Sequence, residues 1–397
     1  MLEGLIDLPW WGHLLIALGL THITIVSVTI YLHRNQAHKA LELRPAISHF
    51  FRFWLWLTTG TITRQWVAVH RKHHANVEGP DDPHSPQQVG IKRVLWGGVL
   101  LYRRAARNGA TLKKYGYDAP NDWLERNIYT PMDYLGLCIM LAIDVVLFGA
   151  VAGAIIWVIQ MVWIPFWAAG VINGIGHWWG YRNYELPDAS RNIVPWAIFI
   201  GGEELHNNHH TYPSSAKFSS KWWELDIGWL YVRLLQALGL ANVKKVPPKP
   251  AFNPAKRTCD VETARAVVAN RFQVMAGFGR EVLQRVCREE LKKTSPDDRE
   301  TWMLLKRAKR LMVREATLLD DGSRRWLSSA LQRYHSLQTV YTMKQRLQEI
   351  WQRSTATQEL LQHALEDWCR QAEATGIQAL RDFSRKLKTY ALKPARA

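Results

Sequence analysis

The chain has 397 residues, four cysteines and a formal net charge of +17. Cys138, Cys259, Cys287 and Cys369 lie far apart without a CxxC pair, which excludes a disulfide framework or a thiolate zinc site. No zinc finger or RNP motif accompanies the charge, so no nucleic acid partner is expected; basic residues beside apolar spans fit a cytoplasmic membrane face instead.

Residues 10–32, WWGHLLIALGLTHITIVSVTIYL, contain no Lys, Arg, Asp or Glu and are long enough to cross a bilayer, which predicts a first transmembrane helix. The apolar stretch from Ile47 to Thr63 is shorter and carries Arg52. It reads as an interfacial or re-entrant helix: if the histidines on either side bind one metal site, both flanks lie on one membrane face, and the 31 residues between His38 and His70 fall short of the roughly 40, plus a turn, that two crossings need. Residues 133–177 form a second apolar block, interrupted at Gly149 and Gly153, which suits a hairpin of two spans with Asp144 facing a helix partner. About three spans result, with the N-terminus outside, everything after residue 177 inside, and the lysines and arginines from Lys39 to Lys114 on the inner side.

Three regions are expected: a membrane domain over 1–245, a proline-stiffened linker over 246–257 (VPPKPAFNPAKR), and a basic helical extension over 258–397. In the extension, four or five amphipathic helices are separated by TSPDD, DDGS and STAT, with Ser295-Pro296 as a start signal and no catalytic motif. The expected fold class is all-α: an integral membrane helical protein with about three transmembrane helices, an interfacial helix, a cytosolic helical cap and a C-terminal helical extension.

Nine of the 15 histidines form a pattern. His33 and His38 close the first span in HRNQAH; His70, His73 and His74 follow in HRKHH; His177 ends the last span; His206, His209 and His210 lie in HNNHH. Positions i, i+3 and i+4 share a helix face, so each HxxHH aims three imidazoles one way, and two such faces can enclose a pair of metals. Neutral imidazole suits iron, copper, nickel or zinc, and nine ligands are too many for one ion. His13, His49, His84, His335 and His363 read as interfacial, structural or solvated rather than as ligands. His22 reads as a hydrogen-bonded core residue, although it shares a helix face with His33 and could line a tunnel.

The order HxxxxH, HxxHH, helix-end His and HNxHH over residues 10–230 resembles the membrane-bound fatty acyl desaturases, in particular the bacterial-type Δ9 (stearoyl-CoA-like) group. DDPHSP, GGEELHNNHH and NGIGH support the likeness. The resemblance implies an oxidoreductase that uses O2 and two Fe2+ ions to introduce a cis double bond, Δ9 by analogy, into a saturated acyl chain. It makes the nine histidines the metal ligands, places Asn173 on a metal through a water, and requires no catalytic side chain beyond the metal centre. Glu203 and Asp82 would orient ligand N–H groups from outside.

The acyl-CoA members carry Arg-Asp before the second box, where this chain has Ala68-Val69, so the acyl carrier is CoA or a phospholipid. The absence of an HPGG haem motif implies a separate electron donor, ferredoxin-like or cytochrome b5-like with its reductase. Membrane lipids are expected neighbours, and the active site is expected on the cytoplasmic side of a bacterial inner membrane. Two other readings are an acyl hydroxylase with the same metal pair and a histidine-rich metal transporter or structural metal site.

Overall fold

The computed structural model describes residues 3–295, 297–352 and 357–392. It divides into two compact units, one formed by residues up to Asn183 with Asp188–Pro247, the other by Tyr184–Pro187 with the chain from Pro248 onward.

In the first unit, α1 (Trp10–Ala37) is a single 28-residue helix whose winding changes from α to π at Val28 and stays so through Ala37. The strand β1 (Leu41–Leu43) follows, then α2 (Pro45–Thr59) and α3 (Thr63–Ala75). Proline at the first turn suits the start of α2, since its missing N–H would have no partner there anyway. Gly60, at φ 61, ends the helix, and a Cβ there would lie 2.9 Å from the Asp133 carbonyl oxygen. The chain turns back at this point, so α3 returns the second histidine box to the end of α1. Arg52, the charge inside α2, is buried against Asp122 at 2.6 Å and Glu125 at 3.6 Å.

Next come α4 (Pro86–Val89), α5 (Ile91–Ala106), α6 (Gly109–Tyr115), α7 (Asp133–Phe148) and α8 (Ala150–Ile175), the last with a π segment at Pro165–Ile172. Gly149 at φ 84 separates α7 from α8. A Cβ at Gly153 would lie 2.3 Å from the Asp144 carbonyl oxygen, so the two helices cross as closely as only glycine allows. Fully buried Asp144 accepts from Gln160 Nε2 at 3.0 Å; this acid faces its neighbouring helix.

Among the described residues, two helices, α1 and α8, are long and apolar enough to cross a membrane. With 16 residues, α7 spans about 24 Å, short of the roughly 30 Å of bilayer hydrocarbon. Of the about three spans expected, two helices among the described residues reach the required length and apolarity, and α7 falls short of it.

The third box lies in α9 (His206–Thr211), between two strands that pair in parallel, β2 (Trp196–Ala197) and β3 (Leu225–Asp226). After α10 (Ile227–Ala237), β4 (Ala241–Val243) pairs antiparallel with β1. Arg34 ties these pieces to α1: wholly buried, it donates to the carbonyl oxygens of Ala216 and Gly201 and to Asp226 Oδ1 at 2.8 Å. Buried Val28, Ile30, Leu32, Leu55 and Val232 form the apolar core beside it.

The second unit contains seven helices of eight or more residues among those described: Val261–Ala269, the run 271–293, Arg299–Leu311, Asp321–Arg333, His335–Gln352, Gln358–Ala374 and Gln378–Lys388. This exceeds the expected four or five, because the breaks at Asn270 and Tyr334 are single residues that no Gly- or Pro-rich cluster announces. Pro296 and Ser354–Ala356 lie outside the described residues; the helix expected from Ser295 starts instead after Asp298, whose side chain caps Thr301 N, and Thr357 caps the helix after STAT. Within the proline-rich segment, Ala251–Phe252 pair antiparallel with Tyr390–Ala391. Phe278, Leu305, Leu337, Leu347, Trp368 and Phe383 lie in one core.

Candidate metal centre

An α-helix turns about 100° per residue, which would leave His33 and His38 roughly 140° apart. The π winding at the end of α1 removes that separation. The His38 amide donates to the His33 carbonyl at 3.1 Å, the i→i+5 bond of a π turn, and the two rings come within 4.9 Å.

The nine histidines gather into two groups. His33, His38, His70, His74 and His209 form the first, and His73, His177, His206 and His210 the second; in each, one nitrogen per ring lies within 4.8 Å of all the others. Neither HxxHH aims its rings one way, contrary to the expectation. In α3 the i,i+4 pair His70/His74 joins the first group and His73 the second, whereas in α9 the pair His206/His210 joins the second and His209 the first. Residues four apart differ by about 40° on a helix, while the middle histidine stands about 60° to the other side. Each box therefore contributes to both groups.

The donor sets fit a pair of metal ions. Nε2 of His209 lies 3.0 Å from Nε2 of His33 and 2.9 Å from Nε2 of His74, and Nε2 of His206 lies 2.9 Å from Nε2 of His177. Two nitrogens each about 2.1 Å from one ion, at right angles, would be about 3.0 Å apart. Nε2 of His73 and of His210 are buried with no hydrogen-bond partner among the described residues, a costly arrangement unless something binds there. Burial lowers the pKa of His70, His73, His74, His206, His209 and His210 well below the usual imidazole value, which keeps them neutral and able to ligate.

Carboxylates hold the far sides of four rings. Nδ1 of His33 is 2.6 Å from Glu203, whose other oxygen accepts from the Thr29 hydroxyl at 2.8 Å. Nδ1 of His73 donates to Asp82 at 3.0 Å, and Asp82 also accepts from the amides of Glu78 and His84. Two further acids escaped the sequence reading: Glu78 lies 3.2 Å from His177 Nδ1 and Asp188 lies 3.3 Å from His210 Nδ1. Glu78 has a positive φ of 61 and also accepts from the Ala189 amide, so its strained backbone is anchored from two sides.

Residues 9–243, more than half of the chain, match the family model for fatty acid desaturases. The chain belongs to the fatty acid desaturase family. Among its relatives are Delta-9 acyl-lipid desaturase 1 of Arabidopsis thaliana, 30% identical over 60% of this chain and 76% of that protein, and the sn-2 palmitoyl-lipid 9-desaturase of Nostoc sp. (strain 36), 34% identical over 61% and 86%. The sn-1 stearoyl-lipid 9-desaturase of Anabaena variabilis is 30% identical over 60% and 86%. Residues 258–393 of the desaturase are similar to a second family model, described as transposase. All three groups of potential metal ligands found among the described residues lie in the first unit.

A cavity of about 490 Å³ ends on the desaturase's histidines. His33, His70, His206 and Glu203 line it at that end, Leu137, Trp157, Ile164 and Ile172 along its apolar walls. Asn173 lines the same cavity. So does His84, expected to be merely structural: its ring packs 4.4 Å from that of His73, and burial pushes its pKa down to about 3. Its place in DDPHSP was the available signal. His22 instead hydrogen-bonds Tyr231 at 2.6 Å, as a core histidine does.

Proposed function

We propose that this desaturase is an O2-dependent Δ9 acyl-lipid desaturase with an iron ion in each histidine group. The carrying observation is the apolar cavity that ends at both groups. When bound, the two irons supply O2 reduction and the removal of two hydrogens from neighbouring methylenes. The chain supplies position: Glu203, Asp82, Glu78 and Asp188 hold Nδ1 protons, which leaves Nε2 of each ring as the atom that would bind a metal. Leu137, Trp157 and Ile172 grip the acyl chain and keep water away. Asn173 would hold a water on one ion.

A lipid-linked substrate is supported by Ala68 and Val69, buried and uncharged where CoA-using members carry Arg-Asp, and by the lipid substrates named for the relatives. The reading includes α7 as a third, short span, the metal centre on the cytoplasmic side of a bacterial inner membrane, and the division into 1–245, 246–257 and 258–397. A separate ferredoxin-like or cytochrome b5-like donor with its reductase supplies electrons.

The test is expression of the full chain in a host without its own Δ9 desaturation, followed by mass spectrometry of phospholipid-bound and CoA-bound acyl chains. New cis-Δ9 monoenes in phospholipid, absent from His73→Ala, are expected. Alkenes confined to acyl-CoA would overturn the substrate assignment, and a hydroxylated product without alkene would overturn the reaction.

A further inference from the structure

Helices Arg299–Leu311 and Asp321–Arg333 bury Leu304, Leu305, Ala308, Leu327 and Ala330. Their outer surfaces are unusual for a solvated helix pair. Trp302, Met303 and Trp326 are exposed by 45%, 54% and 37%, where indole and thioether side chains bring no solubility.

Each tryptophan carries a cation on its face. Lys306 Nζ lies 4.2 Å from the Trp302 ring centre, and the Arg307 guanidinium lies 4.7 Å from that of Trp326. On the first helix, Arg299, Trp302, Met303, Lys306 and Arg310 fall on one face at helical spacing. On the second, Trp326 and Arg333 share a face, with Arg325 at its edge. Nearby acids offset only part of this charge: Asp298 feels Arg333, Asp320 feels Arg307, and Glu300 is exposed in the first turn of the first helix. Asp298 and Asp320 accept the Thr301 and Ser323 amides as helix caps, and Asp321 pairs with Arg324. Among the described residues, no ion pair engages Arg299, Lys306, Arg310, Arg325 or Arg333.

We infer that this two-helix face is a docking surface for anionic phospholipid headgroups. Tryptophan prefers the water–lipid boundary, and each basic residue near an anionic leaflet adds attraction. Chain connectivity favours lipid over any soluble polyanion: the second unit follows directly on a unit whose α1 and α8 are long enough to span a bilayer, so headgroups are always within reach of its tether. Because the apolar sides of both helices are buried in their own core, contact is superficial: Trp302, Met303 and Trp326 enter the headgroup layer while the basic side chains meet phosphates. The inference rests on the chain's being embedded in a membrane and not on its catalysis.

The test uses the full-length protein in nanodiscs of phosphatidylcholine alone or mixed with phosphatidylglycerol, with hydroxyl-radical footprinting of Met303, Trp302 and Trp326 read by mass spectrometry. Anionic lipid is expected to slow their oxidation by about fivefold or more, and high salt to restore it. The double variant Lys306→Glu/Arg310→Glu should oxidise equally fast in both discs while its desaturation, measured in the same discs, is unchanged. Equal oxidation of the wild-type protein in both lipids at low salt would overturn the inference whatever the variant does. So would protection by added duplex DNA with none from anionic lipid, which would make the surface a nucleic-acid site.

Discussion

Of the five rings in the first histidine group, His33 has a carboxylate on its Nδ1; of the four in the second, His73, His177 and His210 have one. The group with fewer nitrogens is thus surrounded by more negative charge. An imidazole whose outer N–H is held by a carboxylate is a stronger, better-oriented donor. The difference teaches that ring number and carboxylate support run in opposite directions: three supported rings out of four in one group stand opposite one out of five in the other.

The largest expected effect comes from removing a ring. His73→Ala should empty the second group, leaving one ion bound and turnover at background, because only three nitrogens would remain there. His74→Ala leaves four nitrogens in the first group and should retain more metal. Metal analysis of the two purified variants decides, and equal loss from both would break the comparison.

Neutral amide replacements should be milder and unequal. Glu203→Gln removes the one carboxylate of the first group and should weaken metal affinity by about 10- to 100-fold. Asp188→Asn, at the longest of the four contacts and with Asp82 and Glu78 still present, should cost about tenfold or less. Chelator titration followed by metal release provides the measurement, and a reversed order would show that the number of carboxylates is not what matters.

The smallest effect is on the metal-free protein. Burial depresses the imidazole pKa values of His70 and His74 in the first group and His73 and His206 in the second. A histidine whose folded pKa lies below its unfolded value of about 6.5 takes up a proton on unfolding, so stability is full above that pH and falls as the pH drops beneath it. Thermal unfolding after chelation should therefore shift downward between about pH 6.5 and 5, whereas the metal-loaded protein should resist over the same range.

The histidines that gather into the two groups were legible because they obey local spacing. HRKHH and HNNHH announce helices that carry three histidines each, and HRNQAH and NGIGH stand at the ends of apolar runs. What could not be read was how each box divides its rings between groups, since a 40° difference against a 60° one becomes decisive only when a second helix faces the first. Glu78 and Asp188 were hidden for another reason: Glu78 meets a histidine 99 positions away, and no periodicity links a loop acid to a distant ring. The seven helices of the second unit were undercounted because turns as short as Asn270 or Tyr334 leave no compositional trace.

The π winding of Val28–Ala37 carries a consequence for how this chain tolerates insertions and deletions. A π turn holds one residue more than an α turn, so HRNQAH is in effect an α-helix with a residue added. Shortening the stretch between His33 and His38 by one residue would let the helix relax to ordinary winding and leave the two histidines at i and i+4. They would stay on one face, but Arg34, whose guanidinium anchors Gly201, Ala216 and Asp226, would no longer stand in register with both. Sequences that preserve every histidine yet lose that single residue should therefore fold poorly around the third box, and counting the letters between two histidines becomes a better guide to a working centre than counting the histidines.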